Sequence, residues 1–167
     1  MNPPPSIVRG QRTLDPQVRL ALRLNKAARK RHSHELSVPE ARRALEVTCA
    51  QMAGPTAKLR RVSDGELAGR PVRIYRPLGV AEPGPALLYF HGGGYSVGSP
   101  RSHVAMGARL AKRAAATVTL IDYRLAPEHP YPAAIDDCLA AYRALVASTD
   151  PALVTIAGDS AGGGAAV

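Results

Sequence analysis

Apolar residues recur with a helical period in the first third of the chain. Asp15 and Pro16 have the order of an N-cap followed by proline in the first turn, and apolar and basic residues then fall on separate stripes. Ser37 and Glu40 have the spacing of a capping box, and the apolar positions behind them repeat at helical spacing as far as Gly54. The pattern predicts two amphipathic helices in this part of the chain.

The periodicity changes after residue 58, where short apolar runs alternate with helical segments. Most of these runs are aliphatic or β-branched, and Gly and Pro flank them, which is typical of strands. We expect strands over residues 59–67, 71–75, 86–90, 117–121 and 153–157. We expect helices over residues 101–115 and 132–146, and a further helix from Ala161 onward. The alternation predicts a mostly parallel sheet with helices on both faces.

Composition limits the class of protein. Hydrophobic residues make up 46% of the 167 residues, enough for one domain with a core, and aromatic residues make up only 4%. Cys49 and Cys138 are too few for a disulfide framework, and both fall in predicted helices. The sequence has no secretory-signal pattern, no membrane-spanning apolar run and no metal motif. We therefore expect a cytoplasmic protein that needs neither a metal ion nor an organic cofactor.

The net charge of +9 resides in the N-terminal part of the chain. Residues 1–62 carry 13 Lys and Arg against 4 Asp and Glu, whereas residues 63–167 carry 9 of each. One interpretation is an arm that binds nucleic acid or an anionic membrane. A solvated helix face is the favoured interpretation, because no aromatic residues interleave with the basic ones and no nucleic-acid motif is present. We expect no nucleic-acid partner.

Residues 158–162, with the sequence GDSAG, have the form of a nucleophile elbow. The pattern alone is weak, but here it follows a predicted strand and opens a predicted helix, which is the context that such an elbow requires. The serine must lie in a strained turn, and the flanking glycines allow the strand and the helix to pack closely. We predict that Ser160 is the catalytic nucleophile.

Three consecutive glycines follow the third predicted strand, in the string His91-Gly92-Gly93-Gly94. Glycine leaves backbone N–H groups uncovered and accepts positive φ, so this loop suits an oxyanion hole. We predict that Gly92, Gly93 and Ala161 supply the N–H donors. His91 is either a base or, in the favoured interpretation, a brace for the loop.

Three motifs together resemble the hormone-sensitive lipase family of α/β-hydrolases, whose members are carboxylesterases and lipases. They are HGGGY at residues 91–95, DYRLAPEHPYPA at residues 122–133 and GDSAGG at residues 158–163. The resemblance implies a helical cap region over residues 1–56 and the N-terminal part of an α/β-hydrolase domain over residues 57–167. In that family the acid and the histidine of the triad follow the serine, and neither has a counterpart before Val167.

Other polar residues near the motifs have less specific roles. His91, Tyr95 and Asp159 are candidate pocket residues. We do not expect Asp159 to replace the missing acid, because neighbouring side chains at a sharp turn point apart. His103 lies either near the pocket mouth or in a surface or capping position. A buried polar network that holds the loop after the fourth strand is expected from Tyr123, Arg124 and Glu128.

The sequence as a whole predicts a serine carboxylic ester hydrolase that acts on a small-molecule ester. A non-catalytic binding module of the same fold is the alternative, because no triad histidine follows Ser160. The strand at residues 153–157 is apolar on both faces and would form an open sheet edge. We therefore expect this chain, taken alone, to self-associate and to hydrolyse esters negligibly.

Overall fold

The computed structural model describes residues 15, 16, 18–20, 22, 23 and 36–167. The chain separates into two compact units, residues 1–36 and residues 37–167. In the first unit, the described residues from 16 to 23 are helical, as predicted, and the rest of that predicted helix lies outside the described residues. The second unit holds the sheet and the sequence motifs. The assignment of residues 1–56 to a cap stays a prediction.

Four α-helices and one short 3-10 helix (Pro151–Leu153) belong to the second unit. The α-helices are α1 (Val38–Met52), α2 (Val104–Ala114), α3 (Ala133–Ser148) and α4 (Ala161–Ala165). The N–H and the hydroxyl of Ser37 both donate to the Glu40 carboxylate, at 2.8 and 2.7 Å, so the predicted capping pair does mark the start of α1. Helix α2 begins later than predicted, because Ser102 donates its N–H and its hydroxyl to Ser99 O and closes a turn first.

Five strands form one mixed sheet in the order β1-β2-β4-β3-β5. They are β1 (Arg61–Leu67), β2 (Arg70–Arg76), β3 (Ala86–Phe90), β4 (Thr117–Ile121) and β5 (Val154–Gly158). Strand β2 is antiparallel to both β1 and β4, whereas β3 is parallel to β4 and β5. Four of the five strands therefore run in one direction, as predicted, and β2 alone among them is reversed.

The core has two layers, one on each face of the sheet. Side chains alternate along the central strands, so that Leu88 and Ile121 belong to the layer under α3, while Tyr89 and Val118 belong to the layer under α2. All four of these residues are buried. Helices consequently cover both faces, and the central strands are apolar on both sides, as the runs in the sequence predicted.

The register of β3 and β5 positions the two motif loops. Phe90 pairs with Gly158 in the parallel ladder, so both strands end at the same level of the sheet. The glycine loop leaves the end of β3, and the turn that contains Ser160 leaves the end of β5. These two loops are therefore neighbours at the carboxyl edge of the sheet, which is where ligands bind in open α/β sheets.

Within the described part of the chain, no helix combines the length and the apolar character needed to cross a bilayer.

Candidate active site

Ser160 occupies the turn between β5 and α4 with φ 50° and ψ −119°. A positive φ is strained for a residue that carries a Cβ, and such strain is concentrated at functional sites. The residue is exposed. Its hydroxyl forms no hydrogen bond with any of the residues that the structure describes. The side chain is thus exposed in a strained strand-to-helix turn, and the role of Ser160 as the nucleophile stays a prediction.

The two outer glycines of the elbow allow the end of β5 and the start of α4 to pack against β3. A Cβ on Gly158 would lie 2.3 Å from the carbonyl carbon and oxygen of Gly162. A Cβ on Gly162 would lie 2.0 Å from the carbonyl oxygen of Phe90. Backbone atoms cannot move aside as the end of a flexible side chain can, so a methyl group at either position would separate the elements.

The glycine loop has the unusual backbone that its sequence suggested. Gly93 and Gly94 have φ values of 127° and 60°, in the region that favours glycine. The Gly93 carbonyl accepts from the N–H groups of Ser96 and Val97, at 3.1 and 3.0 Å, which closes the turn. Over residues 36–167, the N–H groups of Gly93, Gly94 and Ala161 have no hydrogen-bond partner. Uncommitted donors therefore lie in both loops.

Gly92 differs from the two glycines that follow it. Its N–H donates to Asp159 Oδ1 at 2.8 Å. A Cβ on Gly92 would lie 2.2 Å from Asp159 Oδ2, so the carboxylate occupies the space that a side chain would need. The role of Gly92 as an oxyanion donor stays a prediction, and in this arrangement the Asp159 carboxylate competes for that N–H.

The Asp159 carboxylate contacts two further residues. Its Oδ1 accepts from the Tyr89 hydroxyl at 2.9 Å and lies 3.4 Å from His103 Nε2. Burial, together with the hydrogen bond to Asp159, raises the pKa of Tyr89, so this hydroxyl remains protonated and donates. His103 is the N-cap residue of α2, so Asp159 connects the elbow to the start of that helix.

His91 lies buried beneath the glycine loop. Its Nδ1 lies 2.9 Å from Gly92 O, which can only accept, and its ring stacks on Tyr123 with centroids 4.2 Å apart. The Tyr123 hydroxyl donates to His91 O. Burial, which outweighs the opposing effect of the bond to Gly92 O, lowers the pKa of His91 to about 4. A buried, neutral ring held in this way suits the brace that the sequence analysis favoured better than a base.

Tyr95 connects the glycine loop to the elbow from the other side. Its ring is half-buried, and its hydroxyl donates to Ala161 O at 2.6 Å in the first turn of α4. The two motif loops are thus joined by two direct hydrogen bonds, Gly92 to Asp159 and Tyr95 to Ala161. Tyr95 and Asp159, two of the candidate pocket residues, both hold these loops together.

The predicted network of Tyr123, Arg124 and Glu128 is wrong as a single buried unit. Arg124 pairs with the buried Asp137 of α3 at 2.7 Å, and exposed Glu128 pairs with Arg42 of α1. The Tyr123 hydroxyl is hydrogen-bonded to neither of those side chains and instead donates to His91 O. The partners lie on other elements, 13 residues away for Arg124 and 86 for Glu128, so no local pattern indicated them.

Arg42 also reaches two loops at the carboxyl edge of the sheet. It donates to Ser96 O at 2.9 Å and to Ala126 O at 3.0 Å, besides the Glu128 carboxylate. One turn further along α1, Glu46 accepts from the Ser99 hydroxyl at 2.6 Å. Helix α1 is therefore attached to the loops that follow β3 and β4. Sequence analysis assigned these residues no role, because helical periodicity reports only which face is apolar.

Among the residues that the structure describes, no group of three or more His, Cys, Asp or Glu side chains is arranged to hold a metal ion.

Comparison with known proteins shows what the chain is similar to. The profile of the alpha/beta hydrolase fold family matches residues 87–167. The carboxylesterase NlhH of Mycobacterium tuberculosis is 48% identical over 98 residues, covering 56% of this chain and 31% of that protein. The ethyl acetate hydrolase of Pseudomonas putida is 40% identical over 167 residues, covering 90% of this chain and 52% of that protein.

Solved structures show the same fold. The ester hydrolase EH1AB1 from the metagenome of Lake Arreo has a TM-score of 0.86 at 36% identity, over 92% of this chain and 53% of that one. A hormone-sensitive lipase from a metagenome library has a TM-score of 0.79 at 40% identity, over 92% of this chain and 50% of that one. The chain thus spans about half the length of these proteins. The family profile, the sequence identities and the shared fold together show that the chain belongs to the α/β-hydrolase fold family, within which it resembles the hormone-sensitive lipase group.

Proposed function

We propose that the chain carries the nucleophile and the oxyanion-binding part of a serine-dependent carboxylic ester hydrolase. One observation carries the proposal: Ser160 has a positive φ and an exposed side chain, in a turn that the Phe90–Gly158 register sets beside the glycine loop. The esterase names of the relatives support the same reaction class. Because the match covers 31% of NlhH and 52% of the ethyl acetate hydrolase, activity is proposed for the whole protein to which this sequence belongs.

The proposed reaction begins when Ser160 Oγ bonds to the carbonyl carbon of the ester and its proton passes to a base. Backbone N–H groups stabilise the carbonyl oxygen as it gains negative charge. Collapse of the tetrahedral intermediate breaks the bond to the alcohol, which leaves with a proton. Water then hydrolyses the acyl-serine, releasing the acid and restoring the hydroxyl.

Gly93 and Ala161 are the favoured oxyanion donors. Neither N–H has a partner among the described residues, and the two lie on the neighbouring loops. Gly92 is the weaker of the three predicted donors, because its N–H already donates to Asp159. Loss of one such donor typically costs about 100-fold to 1,000-fold in kcat.

The general base is proposed to lie outside the described residues. His91 is buried and has a pKa of about 4, and His103 contacts Asp159. His129 is exposed in the loop after β4. None of these three histidines is hydrogen-bonded to Ser160. A serine hydroxyl needs a base to react at a useful rate, so the base and its acid partner are expected elsewhere in the protein.

The substrate is proposed to be a small ester of a short carboxylic acid. One relative is named an ethyl acetate hydrolase, and another, from Streptomyces hygroscopicus, an acetyl-hydrolase. p-Nitrophenyl esters with acyl chains from acetate to octanoate are suitable probes, because release of the nitrophenolate is seen directly.

The test is turnover by the protein as its own gene produces it, purified through an affinity tag placed before Met1. We expect the protein to hydrolyse p-nitrophenyl acetate. After treatment with a reactive phosphonate ester, we also expect a phosphonate adduct on Ser160, located by mass spectrometry. Ser160→Ala should abolish both. Ser148→Ala is the matched control, since that hydroxyl caps only carbonyl groups at the end of α3, and it should behave like the unmodified protein.

Two outcomes contradict the proposal. One is ester turnover that survives Ser160→Ala, which would assign the chemistry to another residue. The other is a folded protein with neither turnover nor an adduct across the ester series. Reversible binding of the esters without turnover would then favour the non-catalytic binding module.

A further inference from the structure

The Asp159 carboxylate forms a junction between three parts of the fold. Its Oδ1 receives the Gly92 N–H at 2.8 Å and the Tyr89 hydroxyl at 2.9 Å, and it lies 3.4 Å from His103 Nε2. Tyr89 belongs to β3, Gly92 belongs to the loop after β3, and His103 is the N-cap residue of α2. Asp159 itself is the residue before Ser160, so these contacts connect the chain next to the nucleophile with β3, the glycine loop and α2.

Asp159 and Gly92 are sterically complementary. The Oδ2 atom lies 2.2 Å from the place where a Cβ on Gly92 would stand. The φ of Gly92 is not positive, unlike those of Gly93 and Gly94. A Cβ at the first glycine would therefore displace the Asp159 carboxylate, whereas the next two glycines are favoured by their positive φ, and a Cβ on Gly93 would also meet the backbone of Val97. The absence of a side chain on Gly92 thus leaves room for the carboxylate to reach the Gly92 N–H.

The contact has a mechanical consequence for the site. A hydrogen bond to a carboxylate is shorter and stronger than one between neutral groups, although here the side chain is 44% exposed and solvent weakens it. The bond fixes the glycine loop to the elbow at the residue before Gly93. The distance between the Gly93 N–H and the Ser160 hydroxyl then depends on Asp159, and oxyanion stabilisation is sensitive to shifts of well under 1 Å.

We propose that Asp159 is a positioning residue, which holds the glycine loop at the distance from Ser160 that oxyanion binding needs and commits the Gly92 N–H to that purpose. The inference rests on the proposed ester hydrolase function. Asp159 is not a triad acid, because the Ser160 hydroxyl forms no hydrogen bond to His103 or to any other described residue. Its role is to place donors, and it acts on the substrate only through them.

The first experiment separates kcat from KM in the protein made from its own gene. Asp159→Ala should lower kcat about 10-fold to 100-fold and change KM by less than about threefold, because donors that act in the transition state are displaced while substrate binding is retained. Asp159→Asn should stay within about threefold in kcat, because the amide oxygen still accepts from Gly92. Asp150→Ala is the control, since Asp150 caps the turn before β5 by accepting from Ala152 N–H at 2.9 Å.

The second experiment needs no activity. Hydrogen exchange of the Gly92 N–H, followed by NMR in the protein made from its own gene, should be at least about tenfold faster in Asp159→Ala than in the unmodified protein or in Asp150→Ala. Thermal unfolding of each variant is recorded as well, and assays are run well below the lowest midpoint, so that loss of the fold is not mistaken for loss of position.

Different failures identify different errors. An unmodified protein without turnover contradicts the proposed function, and the exchange measurement then still tests the Asp159 contact. An active protein whose Asp159→Ala variant keeps its kcat overturns the positioning role. The positioning role is also overturned if Asp159→Asn lowers kcat as much as Asp159→Ala does, because the charge of the carboxylate and not its placement of the loop would then be decisive. Equal exchange of the Gly92 N–H in all variants also overturns it.

Discussion

At the scale of single residues, the glycines of the two motifs are required for different physical reasons. Gly158 and Gly162 are required because backbone atoms lie where a Cβ would stand. Gly93 and Gly94 have positive φ values, which favour glycine, and a Cβ on Gly93 would also lie 2.0 Å from the carbonyl oxygen of Val97. Gly163 meets neither condition, since a Cβ there would lie 3.4 Å from its nearest neighbour, an ordinary contact distance. Neighbouring glycines in a sequence can thus be needed for different reasons, either close packing at the Cβ position or a positive φ.

This distinction predicts opposite effects for two neighbouring substitutions. Gly162→Ala should lower the free energy of unfolding by about 2–3 kcal/mol, because the methyl group overlaps the backbone of Phe90. Gly163→Ala should be neutral or should stabilise by up to about 1 kcal/mol, because alanine favours the helix. Urea unfolding followed by circular dichroism measures both. Equal destabilisation by the two substitutions would contradict the packing argument.

At the scale of elements, α1 is attached to the α/β body chiefly through polar side chains. None of its residues is fully buried, and Arg42 donates to Ser96 O, to Ala126 O and to the Glu128 carboxylate. The arginine holds the pKa of Glu128 well below its usual value through this bond, so the pair stays charged at neutral pH. A helix attached in this way can detach locally while the sheet stays folded.

We therefore expect Arg42→Ala to loosen α1 specifically. Removing a guanidinium that forms several hydrogen bonds costs about 1–2 kcal/mol at a partly exposed site, so hydrogen exchange over residues 38–52 should be about tenfold faster. Exchange in β3 and β4 should not change. Arg43→Ala, on the exposed face of the same helix, is the matched control and should leave exchange unaffected. If Arg43→Ala loosens α1 equally, helix propensity and not the Arg42 contacts determines docking.

At the scale of the whole molecule, the sheet has two outer strands, β1 and β5. Strand β1 is paired with β2 in a hairpin and is largely exposed, as an edge strand commonly is. Strand β5 carries Val154 and Ile156 and pairs with β3 on one side only within the described residues. An unpaired apolar strand can pair with another chain. Ser160 lies just beyond the end of this same strand.

The open edge predicts self-association of the 167-residue chain. Its apparent mass in size-exclusion chromatography should rise with concentration over the micromolar range. Thr155→Lys should suppress the rise, because Thr155 is exposed on β5 and a charge on an edge strand opposes pairing. Ser148→Lys adds the same charge at the exposed end of α3 and should have no such effect. A chain that stays monomeric at every concentration would contradict this prediction.

The sequence by itself determined the local features of this protein. Strands β3 and β4 lie where their compact apolar runs predicted, and the motif loops follow β3 and β5 because strand ends are marked by glycine and by the loss of periodicity. The two-sided covering of the sheet also followed from the apolar runs. Each of these properties depends on neighbouring residues in the chain, which is why a pattern of a few positions carries the information.

Only the tertiary structure decided which groups meet across the fold. It joined Gly92 to Asp159, Arg42 to Glu128 and Arg124 to Asp137, pairs that no spacing in the sequence relates. It also divided the N–H groups of the glycine loop into one that is engaged and two without a partner among the described residues. The physical reason is that such contacts depend on the register of β3 with β5 and on how helices pack over the sheet. Those are set by the summed packing of the whole core, and no single segment encodes them.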